Sequence, residues 1–539
     1  MRLRRPRSFP TSPPTPSSPL SSLALRSDLS RRRFLQLLGL ASSVALVPSA
    51  RAAATAYDDG NRDVPTGVGE RPERVVVIGA GFAGLAAANA LANAGVETIV
   101  LEGRDRLGGR AWTADVGGVP ADLGCSWIHT PIGNPMKRWA DQVGVGVVPF
   151  GQNDEIVPNL SLWDQATGGW LSEPDLLDAL VQTILFEDAL PELRAAFPAG
   201  TALEPAVERY LDDAGLAGDA RRRAGFAIRF LAEQYCASST NDEGLATYLN
   251  SGIAFEGEDV LPDGGYVRLV EPLARGLDVR FGDAAVRVAY DDASVTVTTA
   301  SGERHRGSHA IVTVPLGCLR ENVLAFDPAL PADKTAAISR IGFGNFEKVV
   351  LRFAEPFWQA SRDHFLFLSE ERLEYPLWLD LTRTVGAPTL AMLSGGSFAK
   401  KIATRTTAEV EARVLAILAE LFGPIPTPEL VVRTDWANDP FSRGSYSFVH
   451  REEHYPDDPD ALAAPVAGRV LFAGEASSAD RFGYADGAMR TGLREAKRLL
   501  ATESVELAPL GPRPRRSLLL PGTGRGRSRR GGVRLAQRR

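Results

Sequence analysis

Cysteine is nearly absent from this chain of 539 residues: Cys125, Cys236 and Cys318 stand far apart. They form no disulfide framework and no Cys-x-x-Cys metal site. Six histidines without clustered spacing argue against a histidine-held metal, so none is expected. No internal repeat is visible. The apolar run Leu37 to Val47 is shorter than the ~20 residues of a bilayer span, so no stable membrane anchor is expected. Positive charge is scarce in the body of the chain. Residues 1–54 hold nine Arg and one Asp, and residues 511–539 hold ten Arg and no acid. The whole chain carries −6, but the remainder has 41 basic and 65 acidic residues, a net of −24. So acidic a body makes no nucleic-acid partner and can concentrate cations.

At this length one core does not suffice, and two domains are the default. Residues 1–29, rich in Ser, Pro and Arg, are expected to be disordered. They lead into Ser30-Arg31-Arg32-Arg33-Phe34-Leu35-Gln36, a twin-arginine pattern. The short apolar run and the small-residue site Ala50-Arg51-Ala52 follow. Together these read as an export signal over residues 1–54, with the twin-arginine machinery as partner and a periplasmic or secreted destination. Residues 506–539 read as a disordered basic tail.

The centre of the chain's organisation is Arg74-Val-Val-Val-Ile-Gly79-Ala-Gly81-Phe-Ala-Gly84 with the alanine-rich stretch after it. Val75 to Ile78 read as a buried strand, and the alanines read as a helix. Gly79 permits the tight turn. Gly81 lets a pyrophosphate approach the backbone, and Gly84 lets helix and strand pack closely. A second strand, Glu97 to Leu101, ends at Glu102, placed to accept both ribose hydroxyls of an adenosine. Dinucleotide binding follows from the strand, glycines, helix and acid taken together. The segment Arg104-Asp-Arg106-Leu-Gly108-Gly109-Arg110 adds a second close approach, with Arg110 as counter-charge. Helical patterning fills 171–250, and sheet patterning returns at Ala285 to Tyr290, Val295 to Thr299 and His309 to Thr313. The strand Arg469 to Ala473 runs into Gly474-Glu475, and a helix opens at Gly487-Ala488-Met489 and ends near Leu500. The expected fold is α/β. A Rossmann-like cofactor domain is assembled from 72–145, 257–320 and 436–505, and an α+β substrate domain comes from 146–256 and 321–435.

Several separated blocks then agree in order. They are the glycine fingerprint with Glu102, the Arg-x-Gly-Gly-Arg segment, Gly124-Cys-Ser-Trp-Ile-His129 and Leu261-Pro-Asp-Gly-Gly-Tyr266. Later come Thr313-Val-Pro-Leu-Gly317, Lys348 before Val-Val-Leu-Arg-Phe, Gly444-Ser-Tyr446-Ser, and Phe472-Ala-Gly-Glu475 with Gly483-Tyr484. Over residues 73–502 this resembles the flavin-dependent amine oxidases, the polyamine oxidase branch above all. The resemblance implies FAD, with Gly79, Gly81, Gly84 and Glu102 on its ADP half. Arg104, Gly109 and Arg110 would lie near the phosphates, Ala285 at the adenine and Glu475 along the cofactor chain. Gly487, Ala488 and Met489 would offer helix N–H groups to the flavin edge, where reduced flavin is anionic.

On the same resemblance Lys348 holds a water against flavin N5, and Tyr446 and Tyr484 flank the amine. His129 matches a histidine of the polyamine branch, while Thr130 replaces that branch's usual glycine. Ser445 stands where some relatives carry a cysteine bonded to flavin, so the FAD is expected to be non-covalent. The activity implied is oxidation of a primary or secondary amine by hydride transfer, with O₂ as the second substrate and H₂O₂ as product. An L-amino-acid oxidase, needing an arginine such as Arg352 or Arg443 for the carboxylate, stays open. So do a desaturase or protoporphyrinogen-type oxidase, and a catalytically silent flavoprotein.

Overall fold

A computed structural model describes residues 72–149, 160–248, 255, 257–358, 364–450, 454–502, 504, 505, 507 and 508. The twin-arginine segment and the basic tail from 509 onward lie outside the described residues. Among the described residues no helix is long and apolar enough to cross a membrane.

The alternation of Val75 and Val77 with Val76 and Ile78 decides the layering. Val75 and Val77 join a core formed with the helices Phe82–Asn93 and Ala485–Leu500. Val76 and Ile78 join a core on the opposite face with Val288, Val295 and Val297. Since both faces of the strand are covered, it reads as an unbroken apolar run. Its sheet is five-stranded and parallel, in the order Val470–Phe472, His309–Val312, Arg74–Ile78, Glu97–Leu101, Asp278–Arg280. Distant chain segments thus build one sheet, the discontinuous Rossmann-like arrangement expected from the sequence. One face carries helices. The other carries a small sheet of Ala285–Tyr290, Val295–Thr299 and Arg304–Gly307, joined by Ala325–Asp327. The boundary expected at residue 320 falls inside this layer, because Ala325–Asp327 pairs in parallel with Ala285–Tyr290 and Ile338 and Ile341 enter the same core.

The second body is a seven-stranded mixed sheet. Its order is Leu430–Arg433, Phe346–Arg352, Thr389–Gly395, Leu377–Asp380, His364–Leu368, Leu160–Asp164, Gly169–Trp170. Helix Thr407–Phe422 covers one face with Val410, Val414, Ile417 and Leu418. It is started by a capping box between Thr406 and Glu409. The other face packs on Leu176, Leu180, Phe226 and Phe230 of helices Glu173–Ala196 and Gly218–Cys236. A large cavity lies between the two bodies, reached from both sheets.

Candidate active site

One end of the cavity is glycine-built. Gly79 takes φ +108°, and a Cβ there would stand 2.5 Å from Thr313 Oγ1. A Cβ on Gly84 would meet the Gly79 carbonyl at 2.0 Å, so Gly84 serves helix–strand packing and not ligand contact. Gly81 is different. It borders the cavity, and a Cβ there would find nothing nearer than the Gly108 carbonyl at 3.8 Å. Gly109, at φ +57°, faces Gly81 from the next segment, which is held by the bridge between Gly81 and Gly108. The helix Phe82–Asn93 begins here with no side-chain cap and no acid in its first turn. Its first N–H groups have no intrahelical acceptor, and an anion fits them. Glu102, buried at the end of its strand, accepts from Ala80 N at 2.7 Å and Arg104 N at 2.8 Å. These bonds aim its carboxylate while leaving lone pairs for hydroxyl donors. Bare glycines, an uncapped helix and an aimed carboxylate therefore fit an adenosine diphosphate half. Ala285 borders this end beside Ala284.

The arginines divide their work. Arg104 gives both guanidinium nitrogens to Asp439, at 2.6 and 2.7 Å, so its charge is matched inside the protein although it borders the cavity. Arg110 donates to the Ser445 carbonyl at 2.8 Å and to Glu475 Oε1 at 2.6 Å. The other Glu475 oxygen accepts from Ser447 N at 3.2 Å, from the Ser447 hydroxyl and from Gly483 N at 2.8 Å. Glu475 thus ties together the residue after Tyr446 and the residue before Tyr484. It lines the cavity and also positions the two rings.

Three of the expected catalytic side chains gather at the other end with His129. Tyr446 donates to the Gln234 carbonyl at 3.1 Å, and Tyr484 meets the Tyr235 hydroxyl at 3.1 Å. Burial pushes the Tyr484 phenol up to about 12 and Tyr446 well above its usual range. Both are neutral rings at physiological pH. The Arg481 guanidinium lies 3.9 Å from the Tyr484 ring centre and is paired with Asp486 at 2.8 Å through two nitrogens.

Lys348 stands on Phe346–Arg352 with its side chain turned into the cavity wall. Its ammonium donates to the carbonyls of Asp122 (3.1 Å) and Gly124 (2.7 Å) and to Ser126 Oγ (2.6 Å). Burial lowers it to about 8, partly opposed by Asp122 and Cys125. The expectation of a water held by this lysine is narrowed accordingly. A charged ammonium has three donors, all taken by protein, and only the neutral amine has a lone pair to offer.

The flavin-edge helix also departs from expectation. It starts at Ala485, two residues before Gly487. The Ala488 N–H bonds the Tyr484 carbonyl at 3.1 Å, so residues 485–487 are those without an intrahelical acceptor. Ala485, Asp486 and Ala488 line the cavity. Gly487 is needed because a Cβ would strike the Arg481 carbonyl at 2.0 Å. Met489 lies past the first turn and its side chain is in the core, so it offers nothing to a ligand.

Ser126, Tyr235, Asp259, Arg481 and Asp486 join the site from outside the residues expected there. Asp259 had a signal: it lies two residues before the Leu261–Tyr266 block. Its partner, His129, closes another block. The pairing between the blocks was not visible in one dimension. Neither Arg352 nor Arg443 enters the cavity lining. Arg352 turns to the Val116 carbonyl and Glu429, and Arg443 to Glu321. Ser445 is buried and held by Phe346, accepting from its N–H at 2.7 Å and donating to its carbonyl at 3.0 Å.

A family model described as flavin containing amine oxidoreductase matches residues 82–500. Polyamine oxidase 4 of Oryza sativa subsp. japonica is 30% identical over 451 residues, covering 80% of this chain and 91% of that protein. Lysine-specific histone demethylase 1 homologs 3 and 2 of Arabidopsis thaliana are each 32% identical over 79% of this chain. The chain spans only 30% and 58% of their lengths. A solved structure of a putrescine oxidase with redesigned cofactor binding shares the fold, with a TM-score of 0.61 at 22% identity. It covers 80% of this chain and 99% of that one. The chain belongs to the flavin-containing amine oxidoreductases, and its cofactor is FAD.

Proposed function

We propose that the chain oxidises a primary or secondary amine, a polyamine by preference, to an imine. Water then yields an aldehyde and an amine, or ammonia where the substrate is a primary amine, and O₂ becomes H₂O₂. When bound, FAD would supply the acceptor for the hydride of the amine and the route of the electron pair to O₂. The protein's own part is binding, orientation and proton handling. Tyr446 and Tyr484 offer neutral aromatic faces at the cavity end, where a nitrogen and its α-carbon can be aligned. Glu475 sets both tyrosines through the backbone beside them. Leu377, Leu379, Leu393 and Phe346 make the wall apolar and exclude water.

The observation that carries this reading is Lys348, Tyr446, Tyr484 and His129 meeting in one cavity continuous with the glycine-built end. An amino-acid oxidase is disfavoured, because the two arginines proposed for its carboxylate, Arg352 and Arg443, face other partners. A desaturase has no use for a buried lysine in one cavity with two tyrosines. Polyamine oxidase 4 is matched over nine-tenths of its length and the demethylases over far less, which favours a free polyamine over a chromatin-bound lysine. The body's −24 favours polycations as well.

The test is H₂O₂ release by FAD-loaded protein from a panel of amines and amino acids at two ionic strengths. Turnover of spermidine, with kcat/KM falling as salt rises while a monoamine changes little, is expected. The Debye length of ~8 Å at physiological salt sets the range of that attraction. Preference for an amino acid, or equal salt responses, would refute the polyamine reading.

A further inference from the structure

His129 does not enter the cavity alone. Ile128 and Val260 form an antiparallel bridge, with Ile128 N to the Val260 carbonyl at 2.8 Å and the reverse bond at 3.2 Å. In an antiparallel register the residue after one partner faces the residue before the other, so residue 129 is set opposite residue 259. The side chains meet there: His129 Nδ1 lies 2.6 Å from Asp259 Oδ2. Asp259 is 3% exposed. Its second oxygen accepts from Thr130 N at 3.0 Å, and Asn134 Nδ2 donates to the His129 carbonyl at 2.7 Å. Thr130 is held at φ +45°, the left-handed region that accounts for glycine at this place in the polyamine branch. The loop is therefore fixed on both sides of the ring.

A carboxylate at Nδ1 has chemical consequences. It can only accept, so the neutral imidazole carries its hydrogen on Nδ1 and its lone pair on Nε2. Among the described residues nothing hydrogen-bonds Nε2. The ring stands edge-on to Tyr484, with centroids 5.3 Å apart at 86°, and both line the cavity. An alkylamine of pKa ~10 reaches the site as an ammonium about 999 times in a thousand at pH 7, a cost near ~4 kcal/mol if only the neutral form binds. A fixed acceptor beside the slot lets the ammonium form bind and lose its proton inside the site.

We propose that His129 is the proton acceptor for the bound ammonium substrate and that Asp259 is the positioning residue that holds it ready. The ammonium N–H breaks, the proton moves to Nε2, and the nitrogen keeps the electron pair. Asp259 stabilises the imidazolium until the proton leaves to solvent. This inference rests on the amine-oxidase reading and adds that the chain takes the protonated form of its substrate. Among the described residues the other titratable and charged groups around the ring are Tyr484 with Arg481 and Asp486 behind it, Tyr266, and Lys348 across Trp127. Of these Lys348, near 8, titrates in the working range, whereas Tyr484 and Tyr266 do so above it.

Asp259→Asn is the informative variant. Thr130 N–H demands an acceptor, so the amide oxygen turns to it and the NH₂ turns to His129 Nδ1. The imidazole must then carry its hydrogen on Nε2, which reverses what it offers the substrate. Using full-length FAD-loaded protein with spermidine, we expect kcat/KM to fall about 100-fold at pH 7, in the range of general-base effects. The defect should shrink to under tenfold at pH 10, where much of the amine is already neutral. Taking the ratio to wild type at each pH cancels the Lys348 titration. His129→Gln should match this profile, and the double variant should be no worse than His129→Gln.

Labelling with ¹⁵N-histidine, assigned with His129→Gln, gives a readout without turnover. Protonated Nδ1 and bare Nε2 are expected in wild type, reversed in Asp259→Asn. A defect of equal size at all pH values overturns the proton-acceptor role, and a wild-type hydrogen on Nε2 overturns the tautomer. A wild type inert to every amine overturns the amine-oxidase reading and the substrate half of this one. The nitrogen signals still decide the pairing by themselves.

Discussion

The backbone N–H of Gly483 donates to Glu475 at 2.8 Å, and the same carboxylate oxygen holds Ser447 N at 3.2 Å. One buried acid therefore fixes the residue before Tyr484 and the residue after Tyr446. Its other oxygen is bonded to Arg110 at 2.6 Å. Every partner of Glu475 is a donor, so the site demands a group that only accepts.

Glu475→Gln tests that demand. A glutamine must point its NH₂ either at Arg110 or at the Ser447 and Gly483 donors, and one set loses its acceptor. Breaking such a buried charge-assisted set costs about 2–4 kcal/mol. We expect a thermal midpoint lower by several degrees and a reduced ratio of flavin to protein absorbance. Wild-type stability and flavin content would show that the contacts carry no load.

Lys348→Met should keep FAD and slow turnover at least tenfold. The wild-type profile should show a pH limb near 8, where the lysine yields its proton, and the variant's should lack it. Stability gives an independent check. The folded pKa is depressed from 10.5 to about 8, so between these values the unfolded chain binds the extra proton. The lysine's contribution to stability therefore rises with pH across that window, by up to about 1.4 kcal/mol per unit. Urea denaturation at pH 7.5, 8.5 and 9.5 should show wild type gaining on Lys348→Met as pH increases. Parallel curves and turnover within twofold would make Lys348 a structural residue.

Ser445 cannot form a thioether, so acid precipitation should release all of the FAD into the supernatant. The expected result is a colourless pellet and one equivalent of free FAD by absorbance. Flavin remaining with the precipitate would contradict non-covalent binding.

Arg31 and Arg32 changed together to Lys should retain the precursor in the cytoplasm, still loaded with FAD. Fractionation and immunoblotting measure this. Secretion at the wild-type level would defeat the twin-arginine reading.

Local chemistry is legible in the order of the residues alone. Gly79 and Gly81 read as cradle glycines because a turn and a close backbone approach are demands made within a few residues, and Val75 to Ile78 read as a covered strand for the same reason. The order of the blocks points to FAD and to Lys348, Tyr446 and Tyr484. Helix Ala485–Leu500 begins two residues ahead of the glycine that marks it in the sequence, and no side-chain cap signals its start. That shift takes Met489 away from the ligand and into the core.

Three relations were decided by tertiary structure alone. Asp259 meets His129 across 130 positions, Arg104 is spent on Asp439 across 335, and Lys348 is bound to the 122–126 loop across more than 220. No periodicity or spacing encodes these, because each depends on how two segments are registered after both have folded. The sequence by itself determined which groups are acids, bases, rings and bare glycines. Only packing decided which hydrogen each of them holds and which partner has already taken it, because a hydrogen bond is set by distance and direction in space.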